Sequence, residues 1–311
     1  MGPAPGWILS APLAGLQAQA IGLAEAAGLA CELRSLAPGA PWRYFPARLW
    51  PFPLSVVRGA LGPPVPDLLI GCGGVAAAVI AALRRPGRQV VQVQHPRMDA
   101  RRFDVIVAAR HDGLTGPNVI VTRTALHRAT PARMAAAADE WRGRFAHLPR
   151  PLVGVLVGGN NGRYVLDAAA ARRLAGELAA MMRADGVGLA LTASRRTGAE
   201  ATRILRETLA PLGAYVWDGS GDNPYFGILG LSDALVVTQD SVSMISEAVA
   251  TAAPVLVAAL PGRSRRQQRF VEELVRDGRI RWFGGRLERW PVAALDDTAA
   301  AGAELRRRLG L

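Results

Sequence analysis

The sequence predicts an α/β chain built from two doubly wound parallel sheets. Short apolar runs alternate with alanine-rich segments of helical length, the mark of βαβ units. That alternation occurs twice along the chain. Length agrees, because 311 residues suit two cores of about 150 residues better than one.

In the first half, strands are expected over 7–10, 67–72, 90–94, 105–108 and 119–122, with helices over 13–27 and 75–84. The stretch 42–53 breaks this rhythm, since Pro46, Pro51 and Pro53 exclude a regular helix or a central strand. A helix over 131–145 follows, with Pro131 in its permitted first turn and Thr130 as N-cap. His147-Leu148-Pro149-Arg150-Pro151 then reads as a hinge, giving domains 1–148 and 149–311. The second set has strands over 152–157, 188–192, 214–217, 234–238 and 255–259. Its helices are expected over 166–183, 199–209, 225–231, 242–252 and 265–276. Two Rossmann-like domains facing each other would place ligands in the cleft at the carboxyl ends of their strands.

Composition narrows the function classes. Half the residues are apolar, yet no run approaches the roughly 18 to 20 apolar residues of a membrane-spanning helix. No basic leader precedes a long apolar stretch, so a secretory signal is not expected and the cytoplasm is the expected location. Cys31 and Cys72 stand far apart without a CxxC pair, which argues for small buried apolar residues rather than a disulfide or zinc site. A net charge of +12 would suit nucleic acid, anionic lipid or phosphorylated ligands. All 37 basic residues are arginine, however, scattered along helices in the manner of GC-rich coding. With no nucleic-acid motif beside them, nucleic acid is not an expected partner.

Three loops carry candidate chemistry. Gly158-Gly159-Asn160-Asn161-Gly162 follows a strand and precedes a helix, where glycines admit a ligand to the backbone and helix amides hold an anion; an ordinary strand-to-helix turn, which more often needs one glycine than three, is the alternative. In Thr192-Ala193-Ser194-Arg195-Arg196, Ser194 and Arg195 could donate to phosphate, or form a solvated cap with surface arginines. The strongest segment runs from Thr238 to Ala250. Amides near Ser241, Ser243 and Met244 could hold a diphosphate while Glu247, one turn in, accepts from ribose hydroxyls; a helix capped by Ser243 is the alternative. Trp217, closing a strand, could stack on a base.

The span from Ala214-Tyr215-Val216-Trp217 through Asn223-Pro224-Tyr225 and Asp233-Ala234-Leu235-Val236-Val237 to the Glu247 helix resembles the nucleotide-sugar half of B-type (GT-B) glycosyltransferases. More closely, the chain resembles the mitochondrial-fission (elongated mitochondria) family related to them. The residues that carry this are Val91-Gln92-Val93-Gln94-His95-Pro96-Arg97, His111-Asp112-Gly113-Leu114-Thr115-Gly116-Pro117-Asn118-Val119, Thr122-Arg123-Thr124-Ala125-Leu126-His127-Arg128, Gly158-Gly159-Asn160 and the Thr238 to Glu247 segment. The chain departs from the family after the first strand. There Leu9-Ser10-Ala11-Pro12-Leu13-Ala14-Gly15-Leu16-Gln17 lacks the family's charged loop, and Gly71-Cys72-Gly73-Gly74 lacks its basic residues.

The resemblance implies transfer of a sugar from a nucleoside diphosphate sugar to an acceptor hydroxyl, with no cofactor and no metal. His111, beside Asp112, or His95 would serve as general base, unless each simply bonds its own loop. The aromatic segment 42–58 reads either as a membrane-interface loop, suiting a lipid- or envelope-linked acceptor and a peripheral place on the inner membrane, or as a loop packed on its own domain. Two competing functions remain: a non-catalytic interaction protein on the same fold, and an epimerase of nucleotide sugars.

Overall fold

The computed structural model describes residues 5–57 and 61–311; Arg58, the end of the aromatic segment above, lies outside them. In chain order the first elements are β1 (Gly6–Ser10), α1 (Ala14–Ala26), β2 (Cys31–Ser35), α2 (Pro53–Val56), β3 (Leu68–Cys72), α3 (Gly73–Ala82), β4 (Gln89–Val93), β5 (Val105–Ala109) and β6 (Val119–Thr122). Next come α4 (Pro131–Phe145), β7 (Leu152–Val157), α5 (Ala168–Asp185), β8 (Gly188–Ala193), α6 (Ala199–Leu209) and β9 (Tyr215–Val216). The chain ends with α7 (Tyr225–Leu231), β10 (Ala234–Thr238), α8 (Val242–Val249), β11 (Val255–Ala258), α9 (Arg265–Arg276), β12 (Ile280–Trp282) and α10 (Thr298–Leu309).

The strands form two six-stranded sheets, ordered β2-β1-β3-β4-β5-β6 and β12-β11-β10-β7-β8-β9. Every pairing within them is parallel. Both sheets are covered on both faces, which is why their central strands read as unbroken apolar runs. In β7 the alternation of the pleat divides one such run between two cores. Leu152 and Leu156 enter the core with α4, α7 and α9, while Val153, Val155 and Val157 enter the core with α5 and α6.

The chain divides into two compact units, but not at 148/149. One unit runs to Arg128 and takes back Asp296–Leu311; the other is Ala129–Leu295. Helix α4 belongs to the second unit because Met134, Ala138, Trp141 and Phe145 form a buried stripe against α7, β9 and the sheet beneath. Gly227 and Gly230 of α7 permit that approach, since a Cβ on either would come closer than 3.0 Å to Trp141 or Met134. The expected hinge at 147–151 is a turn inside this unit, held where Arg150 Nη1 donates to the Leu231 carbonyl at 2.8 Å and to Asp233 at 2.9 Å.

Helix α10 returns to the first unit. Gly302 lies against the backbone of Ala26, and Asp297 accepts from the Arg123 amide and guanidinium. His127 is buried there with Nε2 3.5 Å from Asp296. Burial, opposed by Asp296 and Asp297, lowers its pKa below the ordinary 6.5. Cys72 is buried and Cys31 half-buried, both as free thiols raised by burial.

Candidate functional site

In an open parallel sheet, ligands gather where strand order reverses, because the loops leaving the two neighbouring strands diverge there. In the second unit that point lies between β7 and β10. The loops after those strands are the glycine loop and the Asp240 turn, joined from the side by the loop after β8.

The three loops are laced together around one carboxylate. Asp240 has no exposed side-chain surface. Its Oδ2 accepts from the Gly159 amide at 2.9 Å and from Arg196 Nη1 at 2.7 Å, and its Oδ1 from the Thr238 hydroxyl at 2.7 Å. The Gly158 amide donates to the Thr238 hydroxyl at 2.7 Å. Ser194 and Thr197 both donate to the Gly158 carbonyl, at 2.8 and 2.5 Å. Asn160 and Asn161 hold their own loop: Asn160 Oδ1 accepts from Leu166 N, and Asn161 Oδ1 from Arg163 N and Tyr164 N. Gln267 of α9 donates to the Asp240 carbonyl at 2.5 Å.

The structure thus brings Gly158, Gly159, Asn160 and Ser194 into one cluster as mutual partners. Arg195 is exposed beside it, whereas the neighbouring Arg196 turns inward to the buried acid. Sequence reasoning did not select Arg196, Asp240, Thr238, Thr197 or Gln267. Of these Asp240 alone carried a signal, as an acid set two residues after a buried apolar strand.

Helix α8 starts at the same edge. Its cap is Ser241, whose hydroxyl accepts from Met244 N, so the alternative of a helix capped by Ser243 does not occur: the residue in extended conformation before the first helical turn is Ser241. The helix ends at Val249, short of the expected 252, and a turn follows in which Thr251 bonds the Ala248 carbonyl. Among the described residues, the amides of Val242 and Ser243 have no hydrogen-bond partner. Met244 packs partly into the core. Glu247 is 8% exposed and accepts from the Tyr225 hydroxyl of α7. Burial raises its carboxyl to about 7, against the Tyr225 hydrogen bond and the Arg133 charge, which lower it. Arg133 itself lies 4.5 Å over the Phe226 ring.

The rim of this edge is electropositive. Arg163, Arg195 and Arg263 are exposed on the loops after β7, β8 and β11, and none makes an ion pair among the described residues. Trp217 closes edge strand β9, half-buried, its indole donating to the Ser220 carbonyl at 2.7 Å.

In the first unit, His95 and His111 follow the neighbouring strands β4 and β5. His111 is buried. His95 Nδ1 accepts from the Arg97 amide at 2.9 Å, so a neutral ring carries its proton on Nε2 and presents a donor. Gln94 and Arg97 flank it with positive φ, 72° and 57°, a conformation that side-chain-bearing residues adopt at a cost. Among the described residues, no group of three or more His, Cys, Asp and Glu stands close enough to hold a metal, and no helix is long and apolar enough to cross a membrane.

MurG of Acinetobacter baumannii aligns over 98% of this chain and 90% of its own, with a TM-score of 0.53 and 16% identity. UDP-GlcNAc 2-epimerase from Neisseria meningitidis, solved with UDP-GlcNAc, aligns over 98% and 91% with a TM-score of 0.55 and 10% identity. A UDP-glucosyltransferase from Polygonum tinctorium aligns over 99% and 94% with a TM-score of 0.52 and 11% identity. The fold is therefore the GT-B fold of such transferases and epimerases. In sequence, the chain is 34% identical over 276 residues to the mitochondrial fission protein ELM1 of Arabidopsis thaliana, covering 78% of this chain and 64% of that longer protein. It is 24% identical over 257 residues to an uncharacterised protein of Rickettsia prowazekii, covering 70% and 72%. The family profile described as mitochondrial fission ELM1 matches residues 14–309, and the chain belongs to that family.

Proposed function

We propose that the second unit binds a nucleoside diphosphate sugar and that the protein transfers its sugar to an acceptor hydroxyl. One observation carries this reading: a buried carboxylate, Glu247, stands one turn inside a helix whose Val242 and Ser243 amides are unspent, at the switch point of a parallel sheet with an arginine rim. Amides and arginines are the groups that hold a diphosphate, and a carboxylate beyond them suits ribose hydroxyls. In the reaction the acceptor oxygen bonds to the anomeric carbon as the bond to the diphosphate breaks. The hydroxyl proton passes to a general base. The departing diphosphate is stabilised by the α8 amides with Arg163, Arg195 and Arg263. Solved relatives of the fold that bind UDP-GlcNAc favour a nucleotide sugar as ligand.

The acceptor in this reading is lipid-linked. Tyr44, Phe45, Leu49 and Phe52 are 70, 57, 66 and 71% exposed, on a loop anchored by buried Trp50, which donates to the Phe45 carbonyl and meets Trp42 edge-on. Arg43 and Arg48 lie among them, and residues 33–66 contain no Asp or Glu, a surface suited to an anionic membrane. Co-sedimentation with vesicles containing phosphatidylglycerol, lost in Phe45→Ser/Phe52→Ser, supports it; recovery in the supernatant at all lipid compositions removes it.

A second reading, a binding protein without turnover, is favoured by the Arabidopsis relative's name and by the hydrogen-bonded closure of the glycine loop. Calorimetric titration with uridine, guanosine, cytidine and thymidine diphosphates separates the readings, with Glu247→Ala as control. Saturable binding of one nucleotide, lost in the variant, together with sugar transfer from its nucleotide sugar, supports the transferase. Binding without turnover supports the second reading, and no binding to folded protein removes the donor site.

A further inference from the structure

We infer that Asp240 is a resident anion: its carboxylate stands where the Gly158-Gly159 turn would otherwise receive a ligand phosphate. A bound nucleotide must therefore place its phosphates on the first turn of α8. This rests on reading the second unit as a diphosphate site, and it concerns how that site chooses where the negative charge goes.

Four observations converge. The turn follows the first strand of its sheet at the switch point, where a phosphate would sit against glycine amides. The donors on Asp240 are those that hold a phosphate, namely a glycine amide, a hydroxyl and a guanidinium. Here they converge on an acid with no exposed side-chain surface. Next, the amides of Asn160 and Asn161 are spent on the Arg196 and Tyr164 carbonyls, so residues 158–161 offer a ligand no free backbone donor. Finally, the glycines are needed by the protein itself. A Cβ on Gly158 would come closer than 3.0 Å to both Asp240 oxygens, and one on Gly159 equally close to the Arg196 backbone. A second anion at this turn would lack donors and face a like charge. At α8, by contrast, the Val242 and Ser243 amides have no partner among the described residues.

The test uses inorganic phosphate as probe, on the full chain and on two variants: Asp240→Ser, which empties the cradle, and Asp240→Asn, which keeps its shape without the charge. Affinity is read by calorimetry and folding by thermal melting. Phosphate is expected to bind Asp240→Ser about tenfold or more tightly than wild type, with a smaller gain in Asp240→Asn, and to raise the melting temperature of the serine variant toward that of wild type. Equal or weaker phosphate binding in both folded variants overturns the inference. So does a serine variant that stays unfolded with phosphate present, if the asparagine variant shows no gain. A gain in phosphate affinity alongside no nucleotide binding by wild type would uphold the resident anion and remove the transferase reading. Nucleotide binding that is unchanged in wild type and both variants, with no phosphate gain, would do the reverse.

Discussion

The two switch points of this molecule share an architecture and differ in chemistry. In the first unit, between β1 and β3, the loops offer Ala11, Pro12 and an exposed Leu13 on one side and Gly73 on the other. Helices α1 and α3 begin there without a side-chain cap, and the Leu16 side chain covers Gly73. In the second unit, between β7 and β10, the equivalent loops bury an acid, bond it to an amide, a hydroxyl and an arginine, and start a helix capped by serine. Strand order prepares a place for a ligand in both. The groups that can recognise one stand in the second, so function follows side chains rather than topology.

The largest test of that contrast is a pair of glycine substitutions. Gly159→Ala drives a Cβ into the Arg196 backbone at φ 149°, and should destabilise the protein by about 3 kcal/mol or more. Gly73→Ala, at φ 84°, meets only the movable end of Leu16 at 3.0 Å, and should cost about 1 kcal/mol. Urea unfolding measures both. Equal losses would mean that the two switch points are packed alike.

A second contrast is in pH dependence. The Glu247 carboxyl rises from its ordinary 4.5 to about 7, which corresponds to about 3 kcal/mol. Because the folded state holds this proton more tightly, the stability it contributes is fully present below 4.5 and is lost as pH rises through about 7. His127 in the first unit has the opposite sign. Its folded pKa lies below 6.5, so its stability is present above 6.5 and is lost as the pH falls through the folded value. Amide hydrogen exchange followed across this range should show the Glu247 region loosening as pH rises and the His127 region loosening as it falls. Glu247→Gln and His127→Asn should each flatten one slope. Nucleotide binding, needing the charged carboxylate, should weaken below about 7 in wild type and lose that dependence in Glu247→Gln.

The smallest effect is expected at the rim. Arg195→Ala removes an exposed side chain that makes no ion pair among the described residues, so stability should change by no more than about 0.5 kcal/mol, while nucleotide affinity falls roughly fivefold. Arg196→Ala should invert this pattern, losing stability more than affinity, because it strips the buried Asp240 of its counter-charge. Paired melting and titration distinguish the two neighbours.

The central strands were legible because burial on both faces demands continuous apolar runs, and β7 and β10 stand where those runs predicted. The edge strands β2 and β12 were not. Cys31–Ser35 is mostly exposed and mixes charged with apolar residues, while Ile280–Trp282 spans three residues with only Ile280 buried. Helix α4 was legible from Thr130 and Pro131, but the unit it joins was not, since the signals that start a helix do not name its partner. The glycine loop and the serine-rich turn were likewise visible as loops at strand ends. Their hydrogen-bond partners lie about 40 to 80 residues away and leave no local pattern.

What the sequence determined by itself is therefore the alternation of covered strands and helices, and the loops at which polar and glycine residues interrupt it, because periodicity and turn chemistry act over a few residues. Tertiary structure alone decided that Arg196 rather than Arg195 turns inward, that Asp240 fills the glycine turn, that Tyr225 holds Glu247, and that α10 closes the first unit. Each depends on which distant group shares a buried space, where an unpaired charge or hydrogen-bonding group is too costly to leave without a partner.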